Sequence, residues 1–467
     1  MPANVVVEMH VFARLIELVI ALTTIVSLAL LVLVEVAWAD GYRNPFQGSA
    51  AIGQGNAFAA QADDPTAVFY NPAGMTQLRG VQSSVGVQFV SVDVQYTSPT
   101  GVKSSNEWPF PIGLPPPGQF FLTANLKDLG IRALGGLSVG LGVLNLFGFA
   151  LKYPENGPFA TSVTRAQLPL LDIKPTLAYK VTENLSLGLG ADIYTFASFI
   201  GEGQAERQFV SPGGPVPAGA QVEVNGSGTT AGLNASVLYT ALRAENGKPR
   251  LNLAAIWRSQ AVLPLNGQLL VNGGVVADAH SSILLPESYT FGAAWWQIRN
   301  DTHEWKLEFN LDWVRWQSIR NFDVQLSNGL TISNPQNWSN SLTYAVGTEY
   351  KWLRPAWLPA WEVALRAGYN RSETPIPDRN FSPTPPDADA NTISVGAGFF
   401  CGDSGKFLGV LPCSSRGLLS RKAMGIDLAY QAILFEKRTV VGSPNPTTDG
   451  TYKTFNQAGS VTMRLNF

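Results

Sequence analysis

"EWKLEFNLDW", residues 304–313, sets Trp305, Leu307, Phe309, Leu311 and Trp313 on one parity against Glu304, Lys306, Glu308, Asn310 and Asp312 on the other. Period-two alternation of this kind makes a strand with one dry face and one wet face. In a soluble sandwich the dry face packs into a protein core. In a membrane barrel it meets lipid while the charged face encloses a watery lumen, so the same code is inside out. The segment alone does not choose between them, and the rest of the chain must.

Two distant segments repeat the design. "WEVALRAGYN" (361–370) sets Trp361, Val363, Leu365, Ala367 and Tyr369 against a face carrying Glu362 and Arg366, and "AMGIDLAYQ" (423–431) sets Met424, Ile426, Leu428 and Tyr430 against Asp427 and Gln431. From Val81 onward about fourteen such segments are found, centred near residues 89, 122, 144, 173, 192, 231, 258, 291, 312, 345, 366, 396, 430 and 461. Their connections alternate. "KVTEN", "RAENGK" and "RNDTH" are tight, whereas the stretches near 97–117, 201–220, 322–338 and 371–390 are long and rich in Pro and Gly. Short periplasmic turns and long external loops produce that sorting, and a sandwich has no reason to. Residues 401–421 break it, being long where a periplasmic turn is expected.

The chain ends on "GSVTMRLNF", where Val461, Met463, Leu465 and Phe467 alternate with Ser460, Thr462, Arg464 and Asn466. A last alternating strand ending flush on an aromatic residue resembles the assembly signal of outer-membrane barrels. Tryptophans collect near strand ends at Trp295, Trp296, Trp313, Trp316, Trp352, Trp357 and Trp361, where an interfacial girdle would want amphipathic rings. The expected fold is therefore all-β, a 14-stranded antiparallel transmembrane β-barrel over residues 81–467 of the bacterial outer membrane.

The first forty residues differ from everything after them. Leu18–Val34 is an uncharged apolar run followed by Ala37-Trp38-Ala39, a small-x-small cleavage pattern, so residues 1–39 are read as a signal peptide. Cleavage after Ala39 removes Arg14, Glu8, Glu17 and Glu35, which leaves the remaining chain with no formal net charge. A neutral chain without a basic run gives no footprint for nucleic acid. Export makes a disulfide between Cys401 and Cys413, the only cysteines, plausible on compartment grounds. No Cys-x-x-Cys occurs, and only His280 and His303 follow the leader, so neither a metal nor a cofactor is expected.

"ALGGLSVGLGVLNLFGFAL" (133–151) has no charge over nineteen residues, yet its five glycines argue against a membrane helix. As a strand it sets Leu137, Val139, Leu141 and Val143 outward over Ser138, Gly140 and Gly142. Then Leu144 and Leu146 turn the inner face apolar while Asn145 falls on the outer one. The alternation fails there, and glycine inside a strand marks a bulge, kink or close approach, so the third strand is expected to bend between Gly140 and Gly148.

Residues 40–80 carry small side chains without sustained alternation and are too few to fold alone. Ala57, Ala59, Ala60 and Ala62 suit short close-packed helices, and Asp63-Asp64-Pro65 suits a cap and helix start. Here "AFAAQADDPTAVFYNPAGM" (57–75), with Asn71-Pro72-Ala73-Gly74 near its end, resembles the N-terminal hatch of the FadL-type long-chain fatty acid and hydrocarbon transporters of the bacterial outer membrane (OmpP1/FadL/TodX). The similarity runs on through "LPESYTFGAAWW", "WEVALRAGYNRSETPIPD" and "IDLAYQAILFEKRTV" to Phe467. It implies a monomeric barrel among outer-membrane lipid and lipopolysaccharide, plugged by residues 40–80, that binds apolar molecules and releases them sideways through a gap at the kinked third strand.

A greasy path must be lined with grease, because apolar contact returns roughly 0.8 kcal/mol per CH₂ removed from water. External loops 201–220 and 266–286, the latter with Val271, Val275, Val276, Ile283, Leu284 and Leu285, are expected to capture a hydrophobic ligand. Movement around Asn71, Pro72 and Ala73 then opens the route. Lys306, Arg366 and Arg464 are candidate lumen cations for a fatty acid carboxylate, with pairing to lumen acids such as Glu308 and Glu362 as the stronger expectation. A general diffusion porin for polar solutes is the alternative, and a hatch speaks against it. A lipid hydrolase would need an activated serine, and the two remaining histidines fall in a loop and a turn, so no catalytic residue is assigned.

Overall fold

The computed structural model describes residues 40–107, 118–196, 203–402, 405–407, 409–415 and 422–467. The proposed leader, residues 1–39, lies outside them. Fourteen antiparallel strands close into a barrel: β1 (Val81–Thr97), β2 (Gly118–Asn125), β3 (Leu137–Leu144), β4 (Leu170–Lys180), β5 (Leu185–Phe196), β6 (Thr230–Arg243) and β7 (Pro249–Arg258) make one half. The other half is β8 (Ser288–Arg299), β9 (His303–Val314), β10 (Ser341–Leu353), β11 (Trp361–Ser372), β12 (Ala390–Cys401), β13 (Ala423–Phe435) and β14 (Gly450–Asn466). Strand β1 pairs with β14 from Gln82↔Asn466 to Thr97↔Thr451, so no edge is left at the seam. Every expected strand centre falls within a strand. The poorest fits are 144 and 258, the last residues of β3 and β7, and 231, one residue into β6.

Exposure follows the inverted code. Phe309 is 47% exposed and Leu365 51%, whereas Lys306, Glu308 and Arg366 are 1%, 2% and 5% exposed. The oily parity of β9, and of β11 from Leu365 onward, thus faces away from the barrel and the ionic parity faces its interior, whereas at the start of β11 Val363 is buried and Glu362 exposed. The tryptophans divide the same way: Trp295, Trp313 and Trp357 are exposed, but Trp296 and Trp316 are buried inside, which corrects the girdle expectation for those two.

Strand β1 changes code partway along. Val85, Val87 and Phe89 point out from its first half, while Ser91, Asp93 and Gln95 point out from its second half and Val90, Val92, Val94 and Tyr96 turn in. Across the seam, Tyr452 is buried while Lys453 is exposed, and Met463 is exposed further down β14. The outer ends of β1 and β14 therefore obey the soluble rule, apolar inside and polar outside, as strands do once they leave hydrocarbon.

The long connections at that end build a second, eight-stranded sheet. Its order is Thr331–Ile332, Val324–Leu326, Gly274–Leu285, Ala261–Val271, Gln221–Gly226, Ala205–Val210, Arg165–Gln167, Ala150–Lys152. Residues 266–286 are accordingly a hairpin arm and not the loop expected of them. Its turn, Asn272-Gly273, adopts φ of 49° and 80°, as a two-residue type I′ turn requires. At the opposite end the long connection after β12 holds a small ladder, Lys406–Phe407 with Leu411–Pro412, and a Cys401–Cys413 disulfide with Cα atoms 5.7 Å apart.

Residues 40–80 fill the lumen. They form two single-turn helices, α1 (Ser49–Ile52) and α2 (Ala67–Tyr70), then a 3₁₀ segment, Pro72–Gln77. Asp64 closes the start of α2 by accepting from the Thr66 amide at 2.8 Å and the Thr66 hydroxyl at 2.5 Å. The alanine box is not helical. Ala59 and Ala60 lie in a turn and Ala57 and Ala62 in the irregular chain flanking it, all fully buried, because their small side chains let this backbone press on the barrel wall. The wall makes room with glycine: a Cβ at Gly368 would come within 2.0 Å of the Gln54 carbonyl carbon, and one at Gly188 within 2.5 Å of the Ala73 nitrogen.

Candidate functional site: hatch, third strand and external arm

Wall charges clamp the hatch. The Lys306 ammonium contacts Gln61 Oε1 at 2.6 Å and Glu308 Oε2 at 2.8 Å, and donates to the Ala57 carbonyl at 3.3 Å. Glu308 in turn accepts the Ala60 amide at 2.7 Å and the Gln61 amide at 3.2 Å. Gln61 also donates to Glu349 at 2.8 Å and to Asp63 at 3.0 Å, and Lys351 reaches Asp63 at 3.3 Å. Arg366 bridges Glu349 and Asp427, each at 2.7 Å, and Arg464 completes the chain on Asp427 at 2.5 Å. All three candidate cations are thus taken by acids. The partner expected from Glu362 is instead supplied by Glu349 and Asp427. A buried guanidinium needs a partner, and these carboxylates satisfy that need without a ligand.

The Asn71-Pro72-Ala73-Gly74 turn ties the hatch to the wall at β6, three strands from β9. Asn71, fully buried, donates to the carbonyls of Ala59 at 2.9 Å and Val237 at 3.3 Å while its own oxygen accepts the Ala73 amide at 3.1 Å. That amide also reaches Ser236 Oγ at 3.0 Å. Pro72 starts the 3₁₀ segment with a nitrogen that has no hydrogen to satisfy. Gly74 admits no side chain, since a Cβ there would meet Ala62 at 2.6 Å.

The third strand ends at Leu144. Pairing with β4 runs from Leu137↔Tyr179 to Leu144↔Asp172 and stops. Residues 145–149 then leave the wall and pair with the hatch's leading segment: the Asn44 amide bonds the Leu146 carbonyl at 2.6 Å and the Gly148 amide bonds the Tyr42 carbonyl at 2.8 Å. Gly140 and Gly142 lie just before the break, and a Cβ at Gly140 would meet Met75 and Val68 of the hatch. Asn145 is not on the lipid side. It is buried, donates to the Leu170 carbonyl at 2.8 Å and offers its own carbonyl to Gln47 at 3.0 Å, because the chain has already turned inward at that residue.

Around this break lies one continuous buried apolar cluster. It joins Leu144, Leu146 and Phe147 to the hatch residues Tyr42, Phe58, Val68, Phe69 and Met75, and to Leu263, Leu265 and Leu285 of the external arm. Tyr42, Trp316 and Trp338 pack ring on ring at its outer end, with centroids 5.0–5.5 Å apart. Between hatch and wall a cavity of about 40 Å³ remains, bordered by Arg43, Phe69, Tyr70, Arg258 and Asp312, which is room for a water and not for a hydrocarbon chain. Sequence reasoning missed Gln61, Glu349 and Ser236. Glu349 sits on the inner parity of β10 and was legible there, but a contact to the hatch has no local signature.

Residues 30–404 match the family model described as outer membrane protein transport protein (OMPP1/FadL/TodX). A long-chain fatty acid transport protein of Escherichia coli (strain K12) is 22% identical over 407 residues, 77% of this chain and 84% of that one. Among solved structures, a Pseudomonas aeruginosa FadL homologue is 18% identical with a TM-score of 0.68, over 91% of this chain and 100% of that one. The Ralstonia pickettii toluene transporter TbuX is 16% identical with a TM-score of 0.59, over 90% and 98%. These structural likenesses bear on the fold.

Proposed function

Because the chain belongs to the outer membrane transport protein family OMPP1/FadL/TodX, we propose that its cargo is hydrophobic, a long-chain fatty acid or a hydrocarbon, and that it crosses by facilitated diffusion. The chain is a multi-pass β-barrel of the outer membrane, and its family is one of transport proteins. The observation that carries the reading is the unbroken apolar cluster from the external arm, past the hatch, to the break in β3.

A molecule captured at the arm near Leu263, Leu265 and Leu285 exchanges water for apolar contact at roughly 0.8 kcal/mol per CH₂. The cavity between hatch and wall has no room for it, so the hatch must yield around Asn71, Pro72 and Ala73. There the restraints are a few hydrogen bonds of about 1 kcal/mol each, which is the cheap side of the hatch to release. The part of the hatch against β9 is held by a buried ion pair and stays put. Residues 145–149 already stand out of the wall, and a ligand leaving past Leu144 and Leu146 enters the bilayer downhill with no energy source. A polar-solute pore fits poorly, since the lumen is occupied.

Uptake of labelled oleate and labelled toluene by cells with and without the gene tests this. A variant whose residues 145–149 are rebuilt as alternating strand sequence should lose most of that uptake while still reaching the outer membrane. Wild-type uptake rates in the rebuilt variant would sink the lateral route, and sugar permeation by the wild-type protein in liposomes would favour the porin.

A further inference from the structure

Residues 401–421 are long where a short turn suffices, and neither the hatch nor the cargo route uses them. Within this connection Lys406–Phe407 pairs with Leu411–Pro412 as a hairpin, and the Cys401–Cys413 disulfide closes its base. The wall beside it shows where it sits. Trp361, Cys401, Met424 and Leu465 stand directly opposite one another across β11 to β14, a single row on one face of the sheet. On that same parity Leu365, Leu428 and Met463, further along their strands, are exposed, as lipid-facing residues are. Cys401 and Met424 are buried instead, because Phe407 and Cys413 of the hairpin pack over them, with the Phe407 ring stacked on Trp361 at a centroid distance of 5.9 Å. The hairpin therefore lies against the outside of the wall, directly beyond its lipid-facing band.

What it leaves uncovered is apolar and cationic. Val410 and Leu411 at its tip are 75% and 55% exposed. Trp357, in the neighbouring β10–β11 turn, is 66% exposed, and that turn is tied to the hairpin's base where the Gly402 amide bonds the Ala360 carbonyl at 3.0 Å. Arg354 after β10, Lys406 in the hairpin and Lys422 before β13 are exposed, and none forms an ion pair among the described residues. Other turns at this end balance their charges: Lys180 pairs with Glu183 at 2.6 Å, and Lys248 with Glu304 at 3.2 Å. Water penalises such an apolar tip, whereas a membrane interface takes aliphatic side chains at the acyl boundary, tryptophan at the headgroups and Lys or Arg on phosphates. We propose that the disulfide-closed hairpin is a foot in the periplasmic leaflet of the outer membrane. Val410, Leu411 and Trp357 enter the headgroup boundary, and Arg354, Lys406 and Lys422 bind the phosphates of anionic phospholipid. Its seat beside the lipid-facing band and its unbalanced positive charge favour phospholipid over a protein partner. The foot goes beyond the transport proposal and does not depend on the cargo.

The test places a fluorescent dye on Val410→Cys, with the Cys401–Cys413 bond kept oxidised, and reconstitutes the whole protein in vesicles of phosphatidylcholine with phosphatidylglycerol. A headgroup-level nitroxide on either lipid serves as the quencher. The dye should be quenched well above the same dye on Asp301→Cys, an exposed site in a turn of polar residues. Nitroxide on phosphatidylglycerol should quench more than nitroxide on phosphatidylcholine, by up to about fivefold for each cation engaged at low salt. Arg354→Gln with Lys406→Gln and Lys422→Gln should erase that preference. Quenching no greater than at Asp301, or a preference that survives the triple substitution, overturns the proposal. Should the first label disturb the disulfide, the same dye on Trp357→Cys, outside the bridged loop, decides by the same comparison with Asp301. A photo-cross-linker at Val410 in cells should yield phospholipid adducts, and one protein adduct in their place would assign the patch to a protein partner and reject the foot.

Discussion

Lys306 on β9 and Gln61 in the hatch lie 2.6 Å apart, Nζ to Oε1, so a side chain that balances charge in the wall also holds the plug. Replacing the lysine by methionine leaves Glu308 buried without its cation. Breaking one partner of a buried pair costs about 3–5 kcal/mol. Lys306→Met should therefore loosen the hatch and lower stability in urea, and its planar-bilayer conductance should rise above that of the closed wild type. Lys306→Met with Glu308→Gln removes the orphaned charge and should recover part of both. A single variant as stable and as tightly closed as the wild type would show that the pair does not clamp the hatch.

Close approach predicts a second separation between plug and barrel. At Gly368 a Cβ meets the Gln54 backbone, which cannot give way as a flexible side chain would, whereas a Cβ at Gly459 on the outer face of β14 meets nothing within 4 Å. Gly368→Val should displace the hatch and open the lumen to ions while the barrel still migrates as a folded species in unheated gels. Gly459→Ala should match the wild type in both assays. Equal behaviour of the two variants is the unfavourable outcome.

The barrel was readable from sequence because its code is local: two-residue alternation, loop length sorted by side, and a last strand ending on Phe467 each need only neighbouring residues. The hatch was readable as a segment, since some forty residues rich in small side chains and without alternation cannot fold alone, but not as a shape. Its alanines look helix-forming in isolation, yet contact with wall glycines decides their backbone, and that contact joins residues hundreds of positions apart. Asn145 was placed outward because alternation was carried one residue past the point where the chain leaves the sheet. The external arm carries Asn272-Gly273, the strongest short hairpin signal, but Val271, Val275 and Val276 suit a ligand-binding loop as well as flanking strands, so valines alone do not separate the two.

The disulfide supports a third expectation. Cys401, the last residue of β12, and Cys413, in the connection that follows, are both fully buried at the end opposite the external arm. Cross-linking a loop of this order stabilises by about 3 kcal/mol through the unfolded state. Cys401→Ser with Cys413→Ser should lower the urea midpoint and leave ligand uptake within about twofold, given that a ~2-fold change is only about 0.4 kcal/mol. A large loss of uptake in a protein that still assembles would place this connection in the transport route.

The change of code along β1 yields the most quantitative prediction, because it locates the outer edge of the hydrocarbon between Phe89 and Asp93. A lysine on the lipid face near the bilayer midplane costs about 2–4 kcal/mol, falling to about 0–1 near the interface. Phe309→Lys and Leu365→Lys, both at exposed positions of the inverted code, should each lower the folding free energy in vesicles by the larger amount. Asp93→Lys and Gln95→Lys, on the same outward parity of β1 but beyond the switch, should cost less than about 1 kcal/mol. Val94→Lys, buried on the inward parity four residues from Val90, should be the costly one of that stretch. Reversal of the order, with Asp93→Lys worse than Phe309→Lys, would mean that the oily parity of β9 does not face lipid.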